Sequence, residues 1–250
     1  MMDHLARHFN LRDFGGLKSV DGREVRRRTL YRSASLSELA PEHIAAVRHL
    51  NIRSVIDLRH NSERETHPTP WQEMGCRAYW CRDYEPAGGR GGLNDLLASE
   101  GLTSTAARDL MLRVYPDLTY SSVDALKRLF RTILADEGPL LIHCTSGKDR
   151  TGIAAALVLS ALEVPRGAIL ADYLATSRFD ILASVAYRRD EPFPPERVEI
   201  IRPIFSVDSA YLDQMFDGII ARDGSLEGFF RKTLDLSASD LDAVRERLLV

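Results

Sequence analysis

The 250-residue chain contains no apolar run of about 18 residues, the length a membrane-crossing helix needs, so no such span is expected. Cysteine is scarce. Cys76, Cys81 and Cys144 form an odd set without zinc-type spacing, too few for a disulfide framework, which favours a reducing compartment. Cys76 and Cys81 flank a short aromatic stretch and read as packing residues, a redox partnership with Cys144 being the alternative. The opening MMDHLARHFN has no apolar h-region, so a cytoplasmic location is expected, though export by a route reading no such signal is compatible with it. Basic charge is not in surplus: 33 Lys and Arg face 36 Asp and Glu, for a formal net charge of -3. A broad basic face for nucleic acid is therefore excluded, and any attraction for anions must be local. Internal repeats and low-complexity stretches are absent, and the length suits a single domain over residues 1–250 with a sizeable core. Nothing in the sequence fixes an oligomeric state.

What is present is concentrated in PLLIHCTSGKDRTGIAAALVLSAL, which starts at Pro139 and ends at Leu162. A short apolar strand leads to Cys144, a polar loop follows, and Arg150, Thr151 and Gly152 open an apolar helix. The first N–H groups of a helix are unpaired and point at whatever precedes it. A loop curling from Cys144 to Arg150 can aim its own N–H groups inward as an anion nest. Gly147 removes a side chain where the backbone must approach a ligand. Arg150 supplies a planar fork for two oxygens of a phosphoryl group. The same positive field favours the thiolate of Cys144, which suggests phosphoryl transfer to sulfur. Thr151 is placed to hydrogen-bond that sulfur and ease its departure.

The rest of the chain reads as support. Residues 9–32 read as short strands and turns, with Asp21-Gly22 as a hairpin signal. A helix with Pro41 in its first turn and Ile44, Val47 and Leu50 on its inner face ends near Asn51 in a left-handed cap. Strands are expected over 52–58 and 77–81, followed by the glycine-rich stretch 87–92. Ser122 is expected to cap a helix with Leu126, Leu129, Phe130, Ile133 and Leu134 on one face. Pro165 opens another helix, and the tail reads as helices over 211–220 and 226–234 plus one started by Ser237 and Asp240 as a capping box. Segments near 86–106 and 177–202 are candidate lids or insertions, the latter broken by Pro192, Pro194 and Pro195. Strands alternating with helices predict an α/β fold with a mostly parallel central sheet flanked by helices.

HCTSGKDRTG closely resembles the signature loop of the cysteine-dependent protein tyrosine phosphatase superfamily. More narrowly, the chain is similar to the bacterial family related to the mycobacterial secreted tyrosine phosphatase B. NLRDFGG, YRSASLSELA, VIDLR with Glu63-Arg64, DYLATS and YLDQMFDGIIARDGSLEGFF resemble further stretches of that family in order and approximate spacing. Ser146 stands where members commonly carry Ala. The resemblance implies the cysteine-phosphatase fold, with Cys144 as nucleophile, Arg150 as phosphate clamp and His143 orienting the loop. Thr145, Ser146, Gly147, Lys148 and Asp149 would offer backbone N–H groups, and Gly152 would close the substrate-binding set. It implies a metal-independent phosphomonoester hydrolase acting on phosphotyrosine proteins through a cysteinyl-phosphate intermediate. Dual-specificity or phosphoinositide hydrolysis is the alternative, and an inactive phosphate-binding module the non-enzyme rival.

Two residues carry the open questions. Many members place the general acid in a Trp-Pro-Asp tripeptide, which this chain lacks. Asp149, inside the loop, is preferred as the acid, with Asp83 after the 77–81 strand as the alternative. Lys148 either adds a cation for a second phosphate or pairs with a carboxylate such as Glu63 or Asp57. Arg12, Asp13 and Arg59 read as ion-pairing residues, with support of the loop as a further role.

Overall fold

Hydrophobic side chains of period two sort a strand into two faces, and here they build two cores on either side of one sheet. In the computed structural model, which describes residues 2–85, 97, 99–187 and 193–250, the sheet runs β1-β2-β5-β3-β4. The strands are β1 (Arg12–Asp13), β2 (Leu30–Ser33), β3 (Ser54–Asp57), β4 (Ala78–Cys81) and β5 (Leu140–His143). β1 pairs antiparallel with β2, and every other pairing is parallel. The expected α/β architecture with a mostly parallel sheet is what forms.

Leu30, Ile56, Leu140 and Ile142 join the larger core, while Tyr31, Val55 and Leu141 join the smaller one. The larger core takes the inner faces of the helices Ser104–Ser121, Val123–Leu134, Asp149–Ala161, Arg166–Leu174, Ser209–Asp223 and Ala238–Leu248. The smaller core takes Leu5 from Met2–Phe9 and Ala46 and Val47 from Pro41–Arg48. Each fully buried Leu, Ile or Val side chain contributes about 1.5–3 kcal/mol. The Asp149–Ala161 helix is buried nearly all round, which explains its almost unbroken apolar sequence.

Local expectations are met at several positions. Asn51 has φ 54°, Pro41 stands at the start of its helix, Pro165 immediately precedes Arg166–Leu174, and Ser237 with Asp240 forms a capping box. Others change. Ser122 lies between two consecutive helices and makes no side-chain cap. The first of these, Ser104–Ser121, is not anticipated by the sequence reading, and it covers the end of the proposed 86–106 insertion; residues 86–96, with the glycine-rich stretch, lie outside the described residues. Most of the described part of 177–202 is helical, in Ile181–Tyr187 and Pro195–Phe205. Pro195 starts the second of these rather than breaking it, and Pro192 lies outside the described residues. The 226–234 helix splits into Leu226–Gly228 and a wider turn over Phe229–Thr233.

The register sets up the site. Ser33, His143 and Asp57 end β2, β5 and β3 side by side. The loops that follow these three strands therefore gather at one edge, outside the carboxyl ends of parallel strands, where α/β sheets form their ligand crevices.

Candidate active site

Cys144 directly follows β5 and is 2% exposed. Between it and the Asp149–Ala161 helix, the loop is gripped by its carbonyl groups. Ser35 N–H donates to the Thr145 carbonyl at 3.0 Å. Asn10 Nδ2 donates to the carbonyls of Ser146 at 3.3 Å and Gly147 at 3.1 Å. Arg32 Nη2 adds a second donor to Gly147, at 2.9 Å. In a trans peptide the C=O and the next N–H point in opposite directions. Three carbonyls turned outward to these partners therefore turn the N–H groups of Ser146, Gly147 and Lys148 to the loop's other side. The unpaired first N–H groups of the following helix lie next to them in the chain. The result is a nest of donors beside the cysteine.

Gly147 permits this path. Its φ is 68°, and a Cβ there would lie 2.5 Å from the Ser33 carbonyl oxygen. The close neighbour is thus the end of β2 rather than a ligand, which changes the reason expected for this glycine. Gly152 is also closely packed: a Cβ on it would lie 2.9 Å from the Tyr173 ring. It allows close helix packing, and its N–H donates to the Lys148 carbonyl at 2.9 Å.

Arg150 is held by a two-pronged ion pair. Its Nη1 and Nη2 donate to Glu63 Oε2 at 2.7 Å and Oε1 at 2.8 Å, and Nη1 also donates to the Leu58 carbonyl at 2.9 Å. Burial pushes the Glu63 carboxyl up, but Arg150 more than offsets it and holds the group well below the usual carboxylate range. His60 N–H donates to Glu63 Oε2 at 2.6 Å, and the Thr145 hydroxyl donates to Oε1. Burial and the Arg150 charge push His60 down to about 4, so it does not compete as a cation. Glu63 therefore fixes both the Arg150 guanidinium and the start of the loop.

The same edge of the sheet holds a second ion pair. Arg59 Nη2 meets Asp57 Oδ2 at 2.8 Å, and Arg59 Nη1 donates to the Ser35 hydroxyl at 3.0 Å. Asp57 also accepts from Tyr79 at 2.8 Å. Burial pushes Asp57 up, while His143 and Arg59 more than offset it and keep it well below its ordinary value. His143 is fully buried, with Nδ1 donating to the Cys144 carbonyl at 3.2 Å. Its Nε2 lies 3.3 Å from Asp57 Oδ2, an electrostatic contact not aligned as a hydrogen bond.

Lys148 is 1% exposed. Its ammonium meets Asp149 Oδ1 at 2.7 Å and donates to the Ser206 carbonyl at 3.1 Å, over the Tyr211 ring. A carboxylate pairs with it as one reading required, but the partner is Asp149, not Glu63 or Asp57, whose oxygens are taken by Arg150 and Arg59. Tyr115 also donates to Asp149 Oδ1, at 2.7 Å, and contacts the Tyr173 hydroxyl. Burial and the Asp149 charge push the Tyr115 phenol far up, so it remains a donor.

Asp83 is exposed and accepts from Asn61 Nδ2 at 2.8 Å. It follows β4, which lies two strand spacings, about 9–10 Å, from β5, whereas Asp149 opens the helix that directly follows the loop. Asp13 is not brought to the loop: it accepts from the N–H groups of Gly15 at 2.8 Å and Arg28 at 2.7 Å and shapes the N-terminal turns. Arg12 pairs with Asp172 at 3.2 Å. The Thr151 hydroxyl is buried and makes no hydrogen bond among the described residues, so the expected bond to the sulfur is not made here.

The sequence reading missed Asn10, Arg32, Ser35, Asp172 and Tyr115 as individuals. The first four lie inside the NLRDFGG, YRSASLSELA and DYLATS stretches, so position in those matched stretches was the signal available. Tyr115 lay in no matched stretch.

A family model described as "Tyrosine phosphatase family" matches residues 4–250. The chain is 31% identical over 240 residues to a Cupriavidus necator protein named, provisionally, a tyrosine-protein phosphatase, covering 93% of this chain and 84% of that one. It is 30% identical over 251 residues to the triple specificity protein phosphatase PtpB of Mycobacterium tuberculosis, covering 88% and 90% respectively.

Proposed function

The chain belongs to the tyrosine phosphatase family, and from that premise we propose that it hydrolyses phosphotyrosine in proteins through a phosphocysteine on Cys144. One observation carries the mechanism: a buried cysteine opens a loop whose N–H groups are turned inward, beside an arginine locked by two bonds to Glu63.

In the first step the Cys144 thiolate attacks phosphorus, an S–P bond forms, and the P–O bond to the tyrosyl oxygen breaks. Asp149 enters the step protonated, gives that proton to the leaving oxygen, and becomes the carboxylate that pairs with Lys148. Arg150 and the N–H groups of Ser146, Gly147 and Lys148 hold the three remaining phosphoryl oxygens from bound substrate through the transition state. In the second step water attacks the phosphocysteine, Asp149 takes the water's proton, and the S–P bond breaks to return thiolate and inorganic phosphate. The nucleophile, the clamp and the acid are all supplied by the chain, so the reaction as written uses no metal. The whole chain works as a single domain in this reading, in a cytoplasmic setting that keeps its cysteines reduced. No helix among the described residues is long and apolar enough to cross a membrane.

A wider substrate range draws support from the relative named a triple specificity protein phosphatase; phosphoserine, phosphothreonine and phosphoinositides are the candidates to compare. Against a free second-phosphate cation stands Lys148, whose ammonium is occupied by Asp149 and Ser206. The test is phosphate release from phosphotyrosine peptide, phosphothreonine peptide and phosphoinositide in the presence of a chelator. Activity on phosphotyrosine peptide that Cys144→Ser abolishes is the expected result; wild-type turnover by that variant contradicts the cysteine mechanism.

A further inference from the structure

Three charged side chains beneath the loop take no part in the steps above. Arg32, in β2, is fully buried. It donates through Nη2 to the Gly147 carbonyl at 2.9 Å and through Nη1 to Asp172 Oδ2 at 2.6 Å. Arg12 is its register partner across the β1–β2 ladder. It donates to Asp172 Oδ1 at 3.2 Å and to the Asp172 carbonyl at 2.9 Å. Two guanidiniums therefore share one carboxylate.

The imbalance is visible in the charges themselves. Burial, followed by repulsion from Arg32, pushes the Arg12 guanidinium down to about 10; Asp172 offsets part of this and Arg178 adds to the repulsion. Arg32 Nε is buried and has no acceptor among the described residues. A buried cation in excess of its counter-charge is costly, and an anion brought close relieves the cost. The Gly147–Lys148 peptide connects the two: its carbonyl accepts from Arg32, and its N–H faces the loop interior. A cation bonded to a carbonyl polarises the peptide and strengthens the N–H as a donor.

We propose that Arg32, held by Asp172 and backed by Arg12, is a positioning residue that sets the oxyanion affinity of the loop through the Gly147–Lys148 peptide. It touches neither substrate nor the reacting atoms. The proposal rests on the phosphatase reading of the site and adds to it a source of affinity that Arg150 does not supply.

Because the polarised N–H serves bound substrate and transition state alike, its loss weakens binding more than turnover. The test measures KM and kcat on an aryl phosphate, the inhibition constant of inorganic phosphate, and thermal melting, for the wild type, Arg32→Gln and Arg32→Lys. The expected result is that KM and the phosphate inhibition constant rise together by about tenfold in Arg32→Gln, with kcat within about threefold. Arg32→Lys, the milder change, keeps the charge but cannot bond Gly147 and Asp172 together as a fork does, so it falls between. Unchanged phosphate inhibition in either folded variant, even with a lowered melting temperature, overturns the proposal and leaves Arg32 a purely structural residue. A fall in kcat with KM unchanged overturns it as well. Failure of phosphate to inhibit the wild type is a separate result, which overturns the reading of the loop itself.

Discussion

The two flanks of the catalytic loop are built differently. On the β2 flank, Asn10, Arg32 and Ser35 hold main-chain carbonyls and so fix the direction of the N–H groups opposite. On the helical flank, Tyr115 and the Ser206 carbonyl hold side chains, namely Asp149 and Lys148. In the proposed reaction, backbone grips define where an oxyanion sits, and side-chain grips define which groups give or take a proton beside it. Changes on the first flank should alter affinity and folding, and changes on the second should alter chemistry with little effect on binding.

The largest expected effect tests the second flank. Asp149→Asn should lower kcat by about 10²–10⁴-fold on a substrate with a poor leaving group, as loss of a placed acid does. Asp83→Asn should stay close to wild type, and the two are separated by steady-state kinetics. Equal losses in both would remove the distinction between loop carboxylate and rim carboxylate.

Glu63→Gln should release the Arg150 fork and lower kcat/KM by about 10²-fold, since small misplacements of a clamp are this costly. It should also change acid stability in a defined direction. The Glu63 carboxyl is held below its ordinary value in the folded chain. Its contribution is therefore fully present above the unfolded-state value and lost as pH falls through the folded-state value. The stability gap between wild type and Glu63→Gln should thus be widest near neutrality and shrink as pH drops below about 4.3. Urea unfolding at the two extremes measures it, and a gap that widens with acid would reverse the sign.

Gly147→Ala tests the β2 flank directly. A residue other than glycine at this φ costs about 1–3 kcal/mol, and the added Cβ also meets the Ser33 carbonyl. A lowered melting temperature with weakened phosphate inhibition is expected. The smallest effect belongs to Tyr115→Phe, which removes one donor from Asp149 and should cost about 0.5–1.5 kcal/mol of stability while leaving KM unchanged. A large rise in KM there would mean that the helical flank also shapes the binding site.

How much of this was legible depended on sequence distance. The loop, β5 and the helix after it are contiguous, so Cys144, Gly147 and Arg150 could be read from one stretch by elementary arguments. The grips span far more chain: Asn10 to Gly147 is 137 residues, and Tyr115 to Asp149 is 34. No local pattern reports such pairs. Lys148 differs, because its carboxylate partner is the adjacent Asp149, and what holds the two together is the Ser206 carbonyl, 58 residues away. The Ser104–Ser121 helix was missed for a different reason. Pro116 stands in its interior, and its buried face is the sparse set Ala107, Met111, Tyr115 and Thr119. Proline reads as a helix breaker, yet here it packs against Gly218 of a neighbouring helix, so tertiary packing overrides the local signal.

The central claim is that phosphate passes through Cys144. Rapid quenching of the enzyme with an aryl phosphate, followed by mass analysis of its peptides, tests this most directly. The account predicts one phosphoryl group on the sulfur of the Cys144 peptide, formed before inorganic phosphate reaches its steady rate and lost on further incubation. Full turnover with no phosphorylated Cys144 at any time, or with the phosphoryl group on another residue, would contradict it.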